Sequence, residues 1–272
     1  MDRTSETAGA DAEPWEDHRL KIRGLSKRFS IPGRRPLEVI QNANLDIAPG
    51  EFVSLVGPSG CGKSTLLRLI AGIDGDYQGR IEFEGRLIEG PGLDRGIVFQ
   101  DHRLLPWLTL AKNIELGLLN ADYSAQEQRH LVQSHIELVG LGGFEEAWPH
   151  ELSGGMAQRG AIARGLVSQP SLLLMDEPFG ALDALTRVHL QGELLSIWRA
   201  EGISMLLVTH DVDEAIFLSN RVVVMGSNPG RIVRVFEIGS EVRANRTGDE
   251  FNHLKQQVLE AMGEISESVF VV

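Results

Sequence analysis

"FVSLVGPSGCGKSTLLRLIAG", Phe52 to Gly72, joins three kinds of sequence in immediate succession. FVSLV, residues 52–56, is apolar without clean alternation, as strands buried on both faces are. GPSGCGKST, Gly57 to Thr65, matches G-x-x-x-x-G-K-[ST]. KSTLLRLIAG then reads as a helix that stops at Gly72, a suitable C′ glycine. Strand, glycine loop and helix, in that order, are the context this motif requires. The loop Gly57, Pro58, Ser59, Gly60, Cys61, Gly62 lets backbone amides wrap phosphates. Lys63 is expected to reach the terminal phosphates of a nucleotide, and Ser64, followed by Thr65, to offer a hydroxyl to Mg2+.

Four more short apolar runs resemble the first: GIVF 96–99, LLLM 172–175, MLLV 205–208 and VVVM 222–225. Helical patterns lie between them, over ALTRVHLQGELLSIWRAEG ending at Gly202 and over DVDEAIFLSN. Strand alternating with helix predicts an α/β fold with a parallel sheet. The early segments differ. RLKIRGL 19–25, LDI 45–47 and RIEFEGRLI 80–88 alternate apolar with polar residues, as half-exposed antiparallel strands do, with GRRP 33–36 as a turn. Residues 101–167 carry no strand-like run, and Ser124 and Glu127 open a helix there with a capping-box pattern that closes at Gly140. A last helix over DEFNHLKQQVLEAMG is predicted to put Phe251, Leu254, Val258, Leu259 and Met262 on one face.

The 272 residues hold 26 Lys and Arg against 38 Asp and Glu, a formal net charge of -12. Such a balance argues against nucleic acid as the main partner, because phosphate backbones reward basic patches. No apolar run is long enough to span a bilayer. The first eighteen residues are acidic and lack an apolar core, so they read as a solvated tail and not a secretory signal. The lone Cys61 suits a reducing compartment, and bound nucleotide is expected to protect it from alkylation.

Further candidates sit at strand ends, where α/β sheets hold their ligands. LLLMDEP puts Asp176 at the end of one run as a partner of Mg2+, with Glu177 as general base. VFQD puts Gln100 at the end of another, and LVTHD does the same for His210. A Gln amide can contact Mg2+ and orient water, and a His can hydrogen-bond a terminal phosphate; either is equally at home as a plain surface residue. HELSGGMAQRG, 150–160, looks like a second anion site: Ser153 is a good N-cap, and Gly154 and Gly155 leave the first amides uncovered. Phe29 suits base stacking or an ordinary core position.

In this order the motifs resemble the nucleotide-binding subunit of an ABC transporter, from about Leu20 to the region of Ile238. GPSGCGKST is similar to the Walker A element, LLLMDEP to Walker B with its catalytic Glu177, and LSGGMAQR to the family signature. GALD 180–183, with Asp183, resembles the D-loop, Gln100 the Q-loop, His210 the switch histidine and Phe29 the adenine-stacking aromatic, where Tyr is more usual. FQDHRLLPWLTLAKNIELGL and the stretch from LVTHDVDEAIF to NPGRIV look like importers of nitrate, sulfonates, taurine and bicarbonate. The sequence after PGRI lacks the basic, proline-rich stretch usual in that group.

The resemblance implies a P-loop NTPase (RecA-like) core over 19–100 and 168–240 with an antiparallel β subdomain. It also implies an inserted helical subdomain over 101–167 and a helical extension over 241–272. It implies ATP and Mg2+ as cofactors and a homodimer in which Ser153, Gly154 and Gly155 complete the ATP site of the other copy. Catalysis falls to Glu177, His210 and Gln100, and Mg2+ to Ser64, Gln100 and Asp176. Hydrolysis is expected to drive uptake of an organic sulfonate, taurine or nitrate through an integral membrane permease, with a periplasmic or lipoprotein solute-binding protein as indirect partner. That puts the chain in the cytoplasm, peripheral on the inner face of the cell membrane. The contacts expected of the permease fall near Gln100 and on Leu104, Leu105, Pro106, Trp107 and Leu108, a cluster that core packing explains equally well. The alternatives fit less well. An ABC ATPase acting on DNA would need a long coiled coil before the signature, and one acting on the ribosome usually has two cassettes. A small-molecule kinase leaves LSGGMAQR and His210 unexplained, and a silent regulatory subunit would not keep Lys63, Asp176 and Glu177.

Overall fold

The computed structural model describes residues 19–267 apart from 31, 34 and 181, so the expected acidic tail over 1–18 lies outside the described residues. In chain order β1 (Leu20–Phe29), β2 (Leu37–Ile47) and β3 (Phe52–Val56) lead to the glycine loop and α1 (Lys63–Ile70). β4 (Gln78–Phe83), β5 (Arg86–Leu87) and β6 (Arg95–Val98) follow, then α2 (Leu110–Glu115), α3 (Ala125–Leu138) and α4 (Gly154–Leu166). β7 (Leu172–Asp176), α5 (Ala184–Glu201), β8 (Ser204–Val208), α6 (Val212–Leu218) and β9 (Arg221–Gly226) alternate, and β10 (Arg231–Glu237), α7 (Ser240–Ala244) and α8 (Asp249–Glu267) complete the order.

Two sheets result. β2-β1-β4-β5 is antiparallel, and β10-β9-β3-β8-β7-β6 is parallel except for β10. The five apolar runs are the five parallel strands, each bounded within a residue of its expected limits. Burial on both faces explains their unbroken hydrophobicity. Leu172 and Leu174 face a core shared with α1 and the antiparallel sheet, whereas Leu173 and Met175 face one shared with α2, α4 and α5. Side chains alternate across a strand, so a single run supplies both cores. Contact on the second face is close. A Cβ on Gly96 of β6 would lie 2.1 Å from the carbonyl oxygen of Gly165 on α4.

β10 was not legible in the sequence. It is an antiparallel edge strand on which only Phe236 is buried, so it lacks both the apolar run and the alternation that mark the others. The face of α8 also needs a correction. Phe251, Val258 and Ala261 are buried, but Leu259 is exposed. One residue turns a helix by about 100°, and the step from Val258 to Leu259 carries the side chain off the buried stripe.

Candidate active site

The glycine loop joins the buried end of β3 to the start of α1. Gly62, the residue before α1, has φ 100° and packs against β2: a Cβ there would fall within 3.2 Å of Val39 and Ile40 side chains. Lys63 is 6% exposed, and its Nζ donates to the carbonyl oxygens of Gly57 at 2.8 Å and Pro58 at 3.1 Å. Val39, Ser59, Gly60, Gly62, Lys63, Ser64, Thr65 and Glu177 line a pocket of about 290 Å³ at this place. Cys61 corrects one expectation. Its side chain is buried, burial pushes the thiol up, and Lys63 pulls it back only in part. The loop presents the backbone of Cys61 and hides its sulfur, which leaves an alkylating probe little thiol to reach.

Parallel neighbours bring the acidic pair, His210 and Gln100 to the same end of the sheet. β7 lies between β6 and β8, and β8 pairs with β3. Asp176 ends β7, and the Ser64 hydroxyl donates to its Oδ1 at 3.0 Å. Burial raises the Asp176 carboxyl above its ordinary range; the Ser64 hydrogen bond opposes this and the Glu177 charge adds to it. Glu177 has φ 46°, a left-handed value that a residue other than glycine adopts at a cost of roughly 1–3 kcal/mol. Its amide donates to the Val208 carbonyl at 2.8 Å, which fixes that conformation. The Glu177 Oε2 then lies 3.1 Å from the His210 Nδ1 and accepts from the Gln100 Nε2 at 3.5 Å. Ser64, Asp176, Glu177, His210 and Gln100, drawn from four separate sequence regions, thus converge on one cluster. A carboxylate held between a His and an amide beside a buried Lys can take a proton from water at a phosphate.

Ser153, Gly154 and Gly155 lie elsewhere in the chain. Ser153 caps α4 by accepting from the Met156 amide at 3.3 Å, and it lines a cavity with Arg159, Thr186 and Glu193 that is separate from the Lys63 pocket. Asp183 caps α5, accepting from the amides of Leu185 and Thr186 at 3.1 Å. The Thr186 side chain first, and then these amides, hold its carboxyl below the ordinary range. The two caps adjoin one another: a Cβ on Gly154 would meet Leu182 at 3.9 Å. Phe29, at the end of β1, pairs with Leu37, two residues before Val39 of the pocket. Its ring is 39% exposed, which removes the core reading.

Sequence reasoning missed several residues. Asn113 of α2 is buried and fastens the preceding loop, accepting from the Leu105 amide at 2.6 Å and donating to the carbonyls of Leu105, Leu108 and Thr109. Arg164 of α4 donates to the carbonyls of His102 and Arg103, tying the segment after Gln100 to that helix. Glu214 of α6 is buried against Thr209, next to His210. Only the last had a signal, an acidic residue among the apolar positions of DVDEAIF.

Comparison with known proteins gives a consistent picture. Residues 40–180 match the model of the ABC transporter family. The chain is 49% identical to the aliphatic sulfonates import ATP-binding protein SsuB of Bacillus subtilis over 233 residues, 86% of this chain and 90% of that one. It is 47% identical to the protein of the same name from Bacillus cereus over 241 residues, 89% and 94% of the two chains. An uncharacterized ABC transporter ATP-binding protein of Methanocaldococcus jannaschii is also 47% identical, over 89% and 90%. Among solved structures, a dimeric ATP-binding cassette in a post-hydrolysis state with ADP and phosphate superposes with a TM-score of 0.72 at 31% identity, covering 81% of this chain and 99% of that one. A part of the cbiONQ transporter complex of Clostridium perfringens gives 0.75 at 28% identity, over 92% and 99%.

Proposed function

Because the chain belongs to the ABC transporter family as an ATP-binding subunit, we propose that it powers an importer of aliphatic sulfonates by hydrolysing ATP. The observation that carries the catalytic part is the cluster at the strand ends, where Ser64 meets Asp176 and Glu177 meets His210 and Gln100.

In this reading the loop amides and Lys63 hold the β- and γ-phosphates, and Phe29 stacks on adenine. Ser64, Asp176 and Gln100 are hard oxygen donors of the kind Mg2+ takes, and the Ser64–Asp176 hydrogen bond brings two of them to one point. When bound, Mg2+ supplies charge neutralisation on the phosphoryl oxygens. Glu177 accepts a proton from the attacking water. The water oxygen bonds to the γ-phosphorus, and the bridging P–O bond breaks with its electron pair leaving on ADP. His210 keeps the Glu177 carboxylate aimed and contacts the γ-phosphate. A second copy contributes Ser153, Gly154 and Gly155 to that phosphate, and Asp183 lies beside them. The 31% identical cassette solved as a dimer supports this pairing.

No helix among the described residues is long and apolar enough to cross a membrane. The importer reading calls for a separate permease, with this subunit on its cytoplasmic side. Leu104 is buried, whereas Trp107 is 66% exposed, and the next residue, Leu108, lines a groove of mixed character with Leu116, Leu118, Leu119, Lys112, Glu115 and Gln128. That division supports the exposed part of the cluster as the permease contact. The solute rests on the names of the Bacillus relatives. A deletion strain tests it: growth on an aliphatic sulfonate as sole sulfur source should fail, and the wild-type gene should restore it while Glu177→Gln does not. Unimpaired growth on sulfonates would exclude this solute.

A further inference from the structure

A chain of donors runs from the C-terminal extension to the residue beside His210. Arg246, in the turn after α7, donates to the Gln191 Oε1 of α5 at 2.8 Å. Gln191 donates to the Glu214 Oε1 of α6 at 3.5 Å. Thr209, at the end of β8, donates its hydroxyl to the Glu214 Oε2 and accepts from the Asp211 amide at 3.1 Å. Thr209, Glu214 and Gln191 are each at most 5% exposed. The hydrogen bonds on both carboxylate oxygens point inward, the pattern of a chain ended by an anion and fed by a cation, and such chains stiffen through mutual polarisation. The Arg246 guanidinium also covers the Phe217 ring at 3.3 Å, which fastens the turn to α6.

Thr209 directly precedes His210, and His210 is itself exposed. The backbone that carries the switch side chain is therefore held from behind by this chain. The Thr209 amide bonds the Leu55 carbonyl of β3, and its hydroxyl bonds Glu214. On the other side of His210, Asp211 lies 3.6 Å from Arg187, which also donates to the Leu182 carbonyl next to Asp183.

We propose that Glu214 is a positioning residue for ATP hydrolysis, holding His210 through Thr209, and that Arg246 of the C-terminal extension completes this brace through Gln191. The inference rests on the role given to His210 above. Glu214 is buried and does not line the Lys63 pocket, so its loss acts on turnover and leaves binding alone. Burial pushes the Glu214 carboxyl up to about 7, with the Asp211 charge adding to this and Thr209, Gln191 and Arg187 opposing it. The carboxylate is thus the dominant form at pH 8, where the test belongs.

The test is a double-mutant cycle on the full chain with Mg-ATP at pH 8. Glu214→Gln and Arg246→Ala should each lower kcat by about 3- to 30-fold, within the roughly 2- to 30-fold span of couplings of about 0.5–2 kcal/mol carried through intermediate residues, with KM for ATP within about twofold. In the His210→Ala background the same substitutions should change kcat by less than about twofold, because the residue they act through is gone. Equal losses in both backgrounds would overturn the brace while leaving His210 in its role. A normal kcat for His210→Ala itself would remove that role, and the brace with it. Arg246→Ala changes a half-buried side chain in a turn outside the core and keeps the cycle readable should Glu214→Gln fold poorly.

Discussion

At the scale of single residues, two carboxylates of the proposed mechanism sit in different surroundings, Glu177 at the site and Glu214 buried behind it. Glu177 sits in a left-handed conformation with His210 and Gln100 on one oxygen, ready to receive a proton. Replacing it by Gln keeps the shape and removes the base. Turnover should fall by about 10²–10⁴ while ATP affinity, read by fluorescent nucleotide titration, stays within a few-fold. Hydrolysis near the wild-type rate would take Glu177 out of the mechanism. Glu214 is buried and rises to about 7 from an ordinary value near 4.5. Between those two values the unfolded chain has lost this proton and the folded chain keeps it, so stability falls as pH rises and levels off above about 7. The full effect corresponds to about 3 kcal/mol. The stability of the wild type relative to Glu214→Gln should therefore decline by up to that amount between pH 4.5 and pH 8 in urea titrations. A difference that does not vary with pH would mean that Glu214 is ionised throughout. A carboxylate that weakens the fold at neutral pH fits a side chain kept for turnover.

Elements determine which of these residues meet. The runs at 52–56, 172–175 and 205–208 were legible because strands buried on both faces leave an unbroken apolar trace, and the chemistry falls immediately after them. Asp176, Glu177 and His210 could therefore be placed at strand ends from sequence. What could not be read was β10, nearly bare on the side away from its partner, and the donors Arg246 and Gln191, which neighbour each other only after α5, α6 and the turn beyond α7 have packed. The Ser124–Glu127 box was legible for the opposite reason: both of its hydrogen bonds close within four residues. Packing at Gly96 carries a prediction at this scale. A methyl group there would enter the space of the Gly165 carbonyl, 2.1 Å away, with the Leu173 Cδ1 at 3.0 Å. Gly96→Ala should cost about 1–3 kcal/mol through overpacking, seen as a lower urea midpoint, and should disturb Gln100, four residues on. Unchanged stability would mean that β6 and α4 slide apart freely.

At the scale of the whole molecule, the proposed function makes the chain half of a clamp. Its two phosphate-ready features, the Lys63 loop and the Ser153 cap, line separate cavities, which suits a design in which each serves a different nucleotide. Moving such a clamp from 1:99 to 99:1 closed takes about 5.5 kcal/mol, or roughly 2.7 kcal/mol from each of two nucleotides, which several charge-assisted hydrogen bonds can supply. Ser153→Arg should block closure sterically. In a Glu177→Gln background with ATP, light scattering should report a monomer for Ser153→Arg and a dimer without it, both binding nucleotide. A dimer in the arginine variant would refute the shared site.

The sheet order has a further consequence, for the chain as it is made. β3, which carries the phosphate loop on its end, has β8 and β9 as its two neighbours, residues 204–208 and 221–226. A growing polypeptide at the ribosome has therefore translated its nucleotide motif long before it can build the walls around it. Through most of synthesis the stretch from Phe52 to Val56 has no partner on either side, and it is apolar but for Ser54. Such a nascent segment is prone to aggregation until the last third of the message has been read, and chaperones should be retained on it until then.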